Sequence, residues 1–217
     1  MHETHLITGN RTISSTSLSP WLLMKEFEVP FHEISIDLFK SNAIEKLGVF
    51  SPSLKVPVLI HEDIKVWDAL PICEYVSETW LENRGWPHHL KKRAAARSVC
   101  AELHGDFGHF KQQWPMNCNL IQNRKPDAAL EREIARLDAI MYCCRQKYGD
   151  GGDYLFGAFS IADTFMAPYA ITLYSYGAEL TANARAYLNT LLNNAHVLCW
   201  LAEAQDELDQ VRFAKIA

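Results

Sequence analysis

The chain has no apolar run of about 18 residues, although 48% of its 217 residues are hydrophobic, so no membrane-spanning helix is expected. Its length suits one large globular domain or two small ones. Met1-His2-Glu3-Thr4-His5 contains no basic segment leading into an apolar one, and the expectation is a chain without a secretory signal and with a cytosolic address. The six cysteines, Cys73, Cys100, Cys118, Cys143, Cys144 and Cys199, lack CxxC spacing and fall mostly in apolar helical patterns. That argues for reduced, buried thiols and against disulfides, a zinc site or redox-pair chemistry. The adjacent Cys143-Cys144 reads as helix packing. With a formal charge of −5 and no basic cluster beyond Lys91-Lys92-Arg93, there is little to hold a phosphate backbone. Those three residues read as a solvated helix start, and nucleic acid is not expected as a partner. Internal repeats and low-complexity segments are absent.

What is present divides into two patterns. The first eighty residues alternate between period-2 and period-3.6 hydrophobicity, whereas the rest is almost wholly helical in period. Thr4 to Thr8 reads as a strand, Leu18 to Phe27 as a helix with apolar residues at 18, 22, 23 and 27, and Phe31 to Ile36 as a second strand. A short helix over 41–48, a hairpin of Val56 to Ile60 and Ile64 to Trp67 around Glu62-Asp63, and a helix from Ala69 to Leu81 follow. The order β-α-β-α-β-β-α joins a parallel βαβ unit to an antiparallel ββα unit, the thioredoxin-like layout. Arg84-Gly85-Trp86-Pro87 punctuates the pattern and is the linker candidate, giving expected domains 1–83 and 90–217. Helical periodicity then covers about 90–113, Pro126 to Tyr148, Ser160 to about Tyr176, and two shorter segments to about 207. Ser160-Ile161-Ala162-Asp163 has the capping-box form and reads as a folding signal.

Two stretches carry chemical meaning. Val56-Pro57 opens a strand, where a residue without an N–H is tolerated. A cis bond there would turn the N–H and C=O of Val56 outward, able to pair with an extended peptide as another strand would. Ser14-Ser15-Thr16-Ser17 places four hydroxyls at the start of the first helix, with Pro20 expected in its first turn. One cap needs one hydroxyl; four exceed that need. In a thioredoxin-like layout this loop lies beside the strand-opening proline, so a sulfur held along Val56 would meet hydroxyls and a helix's positive end. Lowering a thiol's pKa by about two units from about 8.5 takes roughly 2.7 kcal/mol. A hydrogen bond to a charged group contributes about 1.5–3 kcal/mol and a helix N-terminus about 0.3–1. The serine donates to a thiolate and need not attack.

These motifs together resemble those of the cytosolic glutathione S-transferases over essentially the whole chain. Ser14-Ser15-Thr16-Ser17 is similar to the SSCS loop of zeta-class enzymes, and Ser14 through Trp21 is closer to the SSWSLRPW loop of a bacterial transferase-like group. Lys55-Val56-Pro57-Val58-Leu59 matches the family's KVPVL cis-proline motif, and Trp67-Asp68-Ala69-Leu70-Pro71-Ile72-Cys73-Glu74-Tyr75 its WDSLAICEYL helix start. Ser160-Ile161-Ala162-Asp163 matches its capping box.

The resemblance implies a thioredoxin-like domain followed by an all-helical one, glutathione as co-substrate, no metal, and a homodimer acting in detoxification. It implies Ser14 as the hydroxyl that stabilises the glutathione thiolate, with Ser15 and Thr16 next in line. Val56, beside Pro57, would bind the cysteinyl backbone, Asp68 and Ala69 would face the γ-glutamyl end, and Lys55 would reach the glycyl carboxylate. Two positions depart from the pattern: Ala69 stands where the family usually has a serine for the γ-glutamyl carboxylate, and Leu54 where a glycine is common. The electrophile site is expected between the domains on the first long helix, with His104, Phe107, His109, Phe110, Trp114 and Met116 as its lining, although the same spacing fits plain core packing. His104 and His109, five apart, cannot share a helix face, so a paired-histidine metal site is not expected. The leading function is conjugation of glutathione to a small hydrophobic electrophile. The alternatives are a zeta-like glutathione-dependent isomerase and a non-catalytic binding protein; disulfide reduction is disfavoured because positions 14–17 hold no cysteine.

Overall fold

A computed structural model describes residues 3–214, with side chains described through Glu207. Four strands, β1 (Thr4–Thr8), β2 (His32–Ser35), β3 (Val58–His61) and β4 (Ile64–Trp67), form one sheet in the order β2-β1-β3-β4. β1 runs parallel to β2 and antiparallel to β3, which is antiparallel to β4. Period-2 alternation sends neighbouring residues to opposite faces. Leu6 and its partner Leu59 therefore join the main core, while Ile7 and its partner Val58 pack with Ile36 and Leu47 in a smaller one. α1 (Ser15–Glu26) and α3 (Ala69–Trp80) contribute to the first, and α2 (Ala43–Phe50) to the second.

The remainder is helical: α4 (Leu90–Gly105), α5 (Gly108–Gln113), α6 (Ala128–Tyr148), α7 (Ile161–Ser175), α8 (Ala182–Leu192) and α9 (Ala195–Ala214). α7 is the hub, and all but one of its fifteen residues are buried. Such a helix shows no amphipathic stripe and packs against neighbours all round. It meets α1, α4 and α8, so one continuous core joins the sheet to the helical half. The expected linker is itself packed: Trp86 is buried, and the Gly85 carbonyl accepts the Ile161 amide at 2.9 Å. A Cβ at Gly85 would stand 2.8 Å from Ser77 Oγ.

Three sequence expectations change. α1 begins at Ser15, three residues before the apolar pattern that starts at Leu18. Apolar periodicity cannot register a first turn made of hydroxyl residues. Pro20 consequently lies inside the helix beyond its first turn. The predicted helix over 90–113 is broken, because Phe107 takes φ +62 and α5 starts anew after it. The final segment is a 20-residue helix reaching Ala214 rather than a short piece ending near 207. Among the described residues, no helix is long and apolar enough to cross a membrane. Of the six free cysteines, Cys73, Cys100 and Cys144 are buried and Cys118 half-buried, whereas Cys143 and Cys199 are exposed. Burial pushes the Cys118 and Cys144 thiols up to about 12.

Candidate functional site: a polar groove meeting an apolar cavity

The site starts at the C-terminal end of β1. Gly9 is a glycine because Val56 and Leu38 close over it; a Cβ there would stand 3.1 Å from Val56 Cγ2 and 2.7 Å from Leu38 Cδ1. Its amide donates to Ser17 Oγ at 3.2 Å, and Ser17 Oγ also accepts from Ser14 Oγ at 2.7 Å. Thr16 donates to the Val56 carbonyl at 3.3 Å and so ties the first turn of α1 to the proline turn. The Val56-Pro57 bond is cis.

The turn before Ser14 is held from the far end of the chain. Arg11 makes a two-pronged pair with Glu33 at 2.6 and 2.7 Å, bonds to Glu203 of α9, and lies 5.4 and 4.8 Å from the Trp21 and Trp200 ring centres. Burial pushes the guanidinium's pKa down, but the bonds to Glu33 and Glu203 outweigh it and the net shift is upward. Burial pushes Glu33 up, and its bonds from Arg11, Thr8 and Trp21 bring it below its ordinary value. The Arg11 amide donates to Glu207 at 2.9 Å, and the Trp200 indole to the Arg11 carbonyl at 3.0 Å. No local pattern pointed to this clamp.

Ser14, Ser15, Thr16, Lys55, Val56, Pro57, Trp67 and Asp68 line one open groove of about 650 Å³. The expected peptide-binding residues are thus brought together. Ala69, the first residue of α3, lines the adjoining cavity and is 1% exposed. Asp68 caps α3 by accepting from the Leu70 amide at 3.2 Å, with its backbone at φ +76. Its carboxylate meets His104 of α4, whose Nε2 lies 3.0 Å from Oδ1 and 3.1 Å from Oδ2. The bond to His104, opposed by partial burial, holds Asp68 below its ordinary value.

Leu54, at the groove's edge, has φ +56 and is 48% exposed. This is the left-handed region, which costs a residue with a Cβ about 1–2 kcal/mol. Glycine relieves that strain but adds about 0.4–1 kcal/mol of unfolded-state entropy. Leu54→Gly is therefore expected to stabilise the fold by about 0.5–1 kcal/mol, read from urea midpoints; a destabilised variant would show that the leucine side chain matters more than its backbone.

The second space, about 420 Å³ and mostly apolar, lies between the sheet half and the helical half. Its wall includes Ser15, Thr16 and Ala69 from one side and His104, Phe110, Trp114, Met116, Phe165 and Tyr169 from the other. Of the expected lining, Phe107 and His109 lie elsewhere. The break at Phe107 resets the helical phase, so that its ring packs on Tyr169 at 5.5 Å. His109 faces a separate surface depression with Glu133. Phe165, Pro168, Tyr169 and Thr172 of α7 were not anticipated, because a helix buried all round shows no distinct cavity face in its sequence. Among the described residues, no group of three or more His, Cys, Asp and Glu side chains is arranged to hold a metal.

Residues 13–79 match the family described as "Glutathione S-transferase, N-terminal domain". The chain is 26% identical over 175 residues to Glutathione S-transferase 1 of the carnation Dianthus caryophyllus, covering 77% of this chain and 76% of that one. Its fold is similar to that of a Burkholderia glutathione transferase homologue crystallised with bound glutathione, at TM-score 0.68 and 20% identity over 94% of this chain and 98% of that one. It is also similar to a diazinon-metabolizing glutathione S-transferase of the silkworm Bombyx mori, at TM-score 0.72 and 16% identity over 93% and 96% of the two chains. The sheet order, the cis-proline groove and these matches agree: residues 13–79 match the N-terminal domain of the glutathione S-transferases, and the chain has the fold of the solved glutathione transferases.

Proposed function

We propose that the chain is a glutathione transferase that binds glutathione along Val56 and activates its thiol at the N-terminus of α1 for attack on a small hydrophobic electrophile. One observation carries this reading: the polar groove and the apolar cavity share Ser15 and Thr16, with Ser14 on the groove side. A thiol held in the groove would therefore face the cavity across the hydroxyl turn. In this reading residues 1–83 bind glutathione and residues 90–217 contribute the electrophile site. Val56 pairs with the cysteinyl backbone, and Lys55 answers the glycyl carboxylate.

Ser14 is the donor to the thiolate. Its hydroxyl bonds to Ser17 Oγ, and a hydroxyl has one proton to give and two lone pairs to receive. When sulfur binds, Ser17 turns its own proton to Ser14 Oγ while still accepting from Gly9, and Ser14's proton becomes available to the thiolate. Ser14→Ala is expected to lower kcat/KM for chlorodinitrobenzene at pH 7 by about tenfold to a hundredfold and to move the ascending limb of the pH–rate profile upward by about one to two units. An unchanged profile would rule out Ser14, and Ser15→Ala measured alongside assigns the role if it lies there.

Glutathione calorimetry separates the enzyme from a binding module: no heat and no thermal shift at millimolar ligand would favour the latter. We further propose a cytoplasmic homodimer, and a monomer on sizing chromatography would refute the second half of that statement.

A further inference from the structure

We propose that His104 binds the γ-glutamyl end of glutathione with Asp68, the two side chains forming a donor–acceptor receptor for a zwitterionic α-amino acid head. The assignment rests on the reading of the groove as a glutathione site. An α-amino acid head carries an ammonium and a carboxylate side by side. The Asp68–His104 pair offers the complement: a carboxylate at the groove wall and, beside it, an imidazole nitrogen 3.0 and 3.1 Å from the two carboxylate oxygens. The ligand's ammonium replaces the imidazole at one Asp68 oxygen, and the imidazole N–H turns to the ligand's carboxylate. His104 thereby supplies the donor that Ala69 lacks.

The surroundings hold both partners for this task. The edge-on Phe165 ring, 5.8 Å away at 87°, supports the imidazole. Lys111 Nζ donates to the carbonyls of His104 at 2.9 Å and Asp106 at 2.7 Å, which ties down the last turn of α4. Asp68 keeps a left-handed backbone at φ +76. Side chains 30% and 45% exposed make a contact that adds little stability, so stability alone does not account for a strained aspartate held against a histidine from the other half of the chain. Strain retained at a cleft points to ligand binding.

The test compares the wild type with His104→Ala and His104→Gln, using glutathione and cysteinylglycine, which keeps the thiol and glycyl end but lacks the γ-glutamyl group. His104→Ala is expected to raise Kd and KM for glutathione by about tenfold or more, a larger change than in the electrophile KM, because His104 also lines the apolar cavity. His104→Gln, which keeps an N–H donor, is expected to lose less. The Kd of cysteinylglycine, which has no γ-glutamyl group to lose, is expected to be the same in the wild type and both variants. The assignment is overturned if glutathione affinity is unchanged in both variants, if cysteinylglycine weakens in parallel, or if only the electrophile KM moves. Absence of glutathione binding by the wild type would overturn the reading of the groove and this assignment with it.

Discussion

Arg11→Leu is expected to lower stability by about 3–5 kcal/mol, because it removes one partner from a buried ionic network and leaves the others uncompensated. For a chain of this size that is a fall in melting temperature on the order of 10 °C. Arg11 is 9% exposed, and its guanidinium serves Glu33 and Glu203 while packing against two indole rings. Arg11→Lys keeps the charge but loses the two-pronged geometry and the stacking, so it is expected to recover only part of the loss. Glu33 gives the pH sense. Its pKa lies below the ordinary 4.5 when folded, so its contribution is complete above that value and is lost as pH falls through the folded one. An unchanged melting temperature in Arg11→Leu would show that α9 does not hold the serine turn through this network.

Asp163→Ala should be at least as damaging. Asp163 is fully buried and accepts four hydrogen bonds, from the Leu155 amide at 3.0 Å, the Ser160 amide at 2.9 Å, Ser160 Oγ at 3.0 Å and Tyr187 OH at 2.9 Å. It thus joins the start of α7 to the preceding turn and to α8. Each buried donor left without an acceptor costs about 1–3 kcal/mol, and four together are expected to prevent accumulation of folded protein at 37 °C.

Asp163→Asn is the measurable companion. Burial pushes the Asp163 carboxyl up to about 6, against the pull of its four donors. The folded state therefore holds this proton more tightly than the unfolded chain does. Its contribution is greatest below about 4 and is lost as pH rises through about 6. The asparagine variant lacks that dependence. Its stability deficit relative to the wild type is thus expected to be largest near pH 4 and to shrink by about 2–3 kcal/mol by pH 7. Urea denaturation across that range checks it, and a deficit that grew with pH would contradict the sign.

The groove was legible because its parts are local. Lys55-Val56-Pro57 opens a strand, Asp68 starts a helix at the end of the next strand, and the hydroxyls of 14–17 begin α1. Each is specified by neighbours within a few residues, and the βαβ-ββα order of the first eighty residues sets them on one edge of a sheet. The apolar cavity was legible in part. His104, Phe110, Trp114 and Met116 line the cavity, but helical periodicity carried the reading straight through residues 106–107. There Phe107 adopts a left-handed backbone and turns its ring to Tyr169. The apolar wall from α7 could not be anticipated from a helix that is apolar on every side.

By itself the sequence determined the element order, the strand alternation that divides Leu6 and Ile7 between two cores, the hydroxyl turn and the proline turn. These follow from dihedral preference and hydrophobic period, which act over a few residues. Only the tertiary structure decided that Glu33, Glu203 and Glu207 converge on the turn before Ser14, and that His104 meets Asp68 across 36 positions of chain. Such pairings depend on how helices pack against a sheet, and they leave no period for a sequence to display.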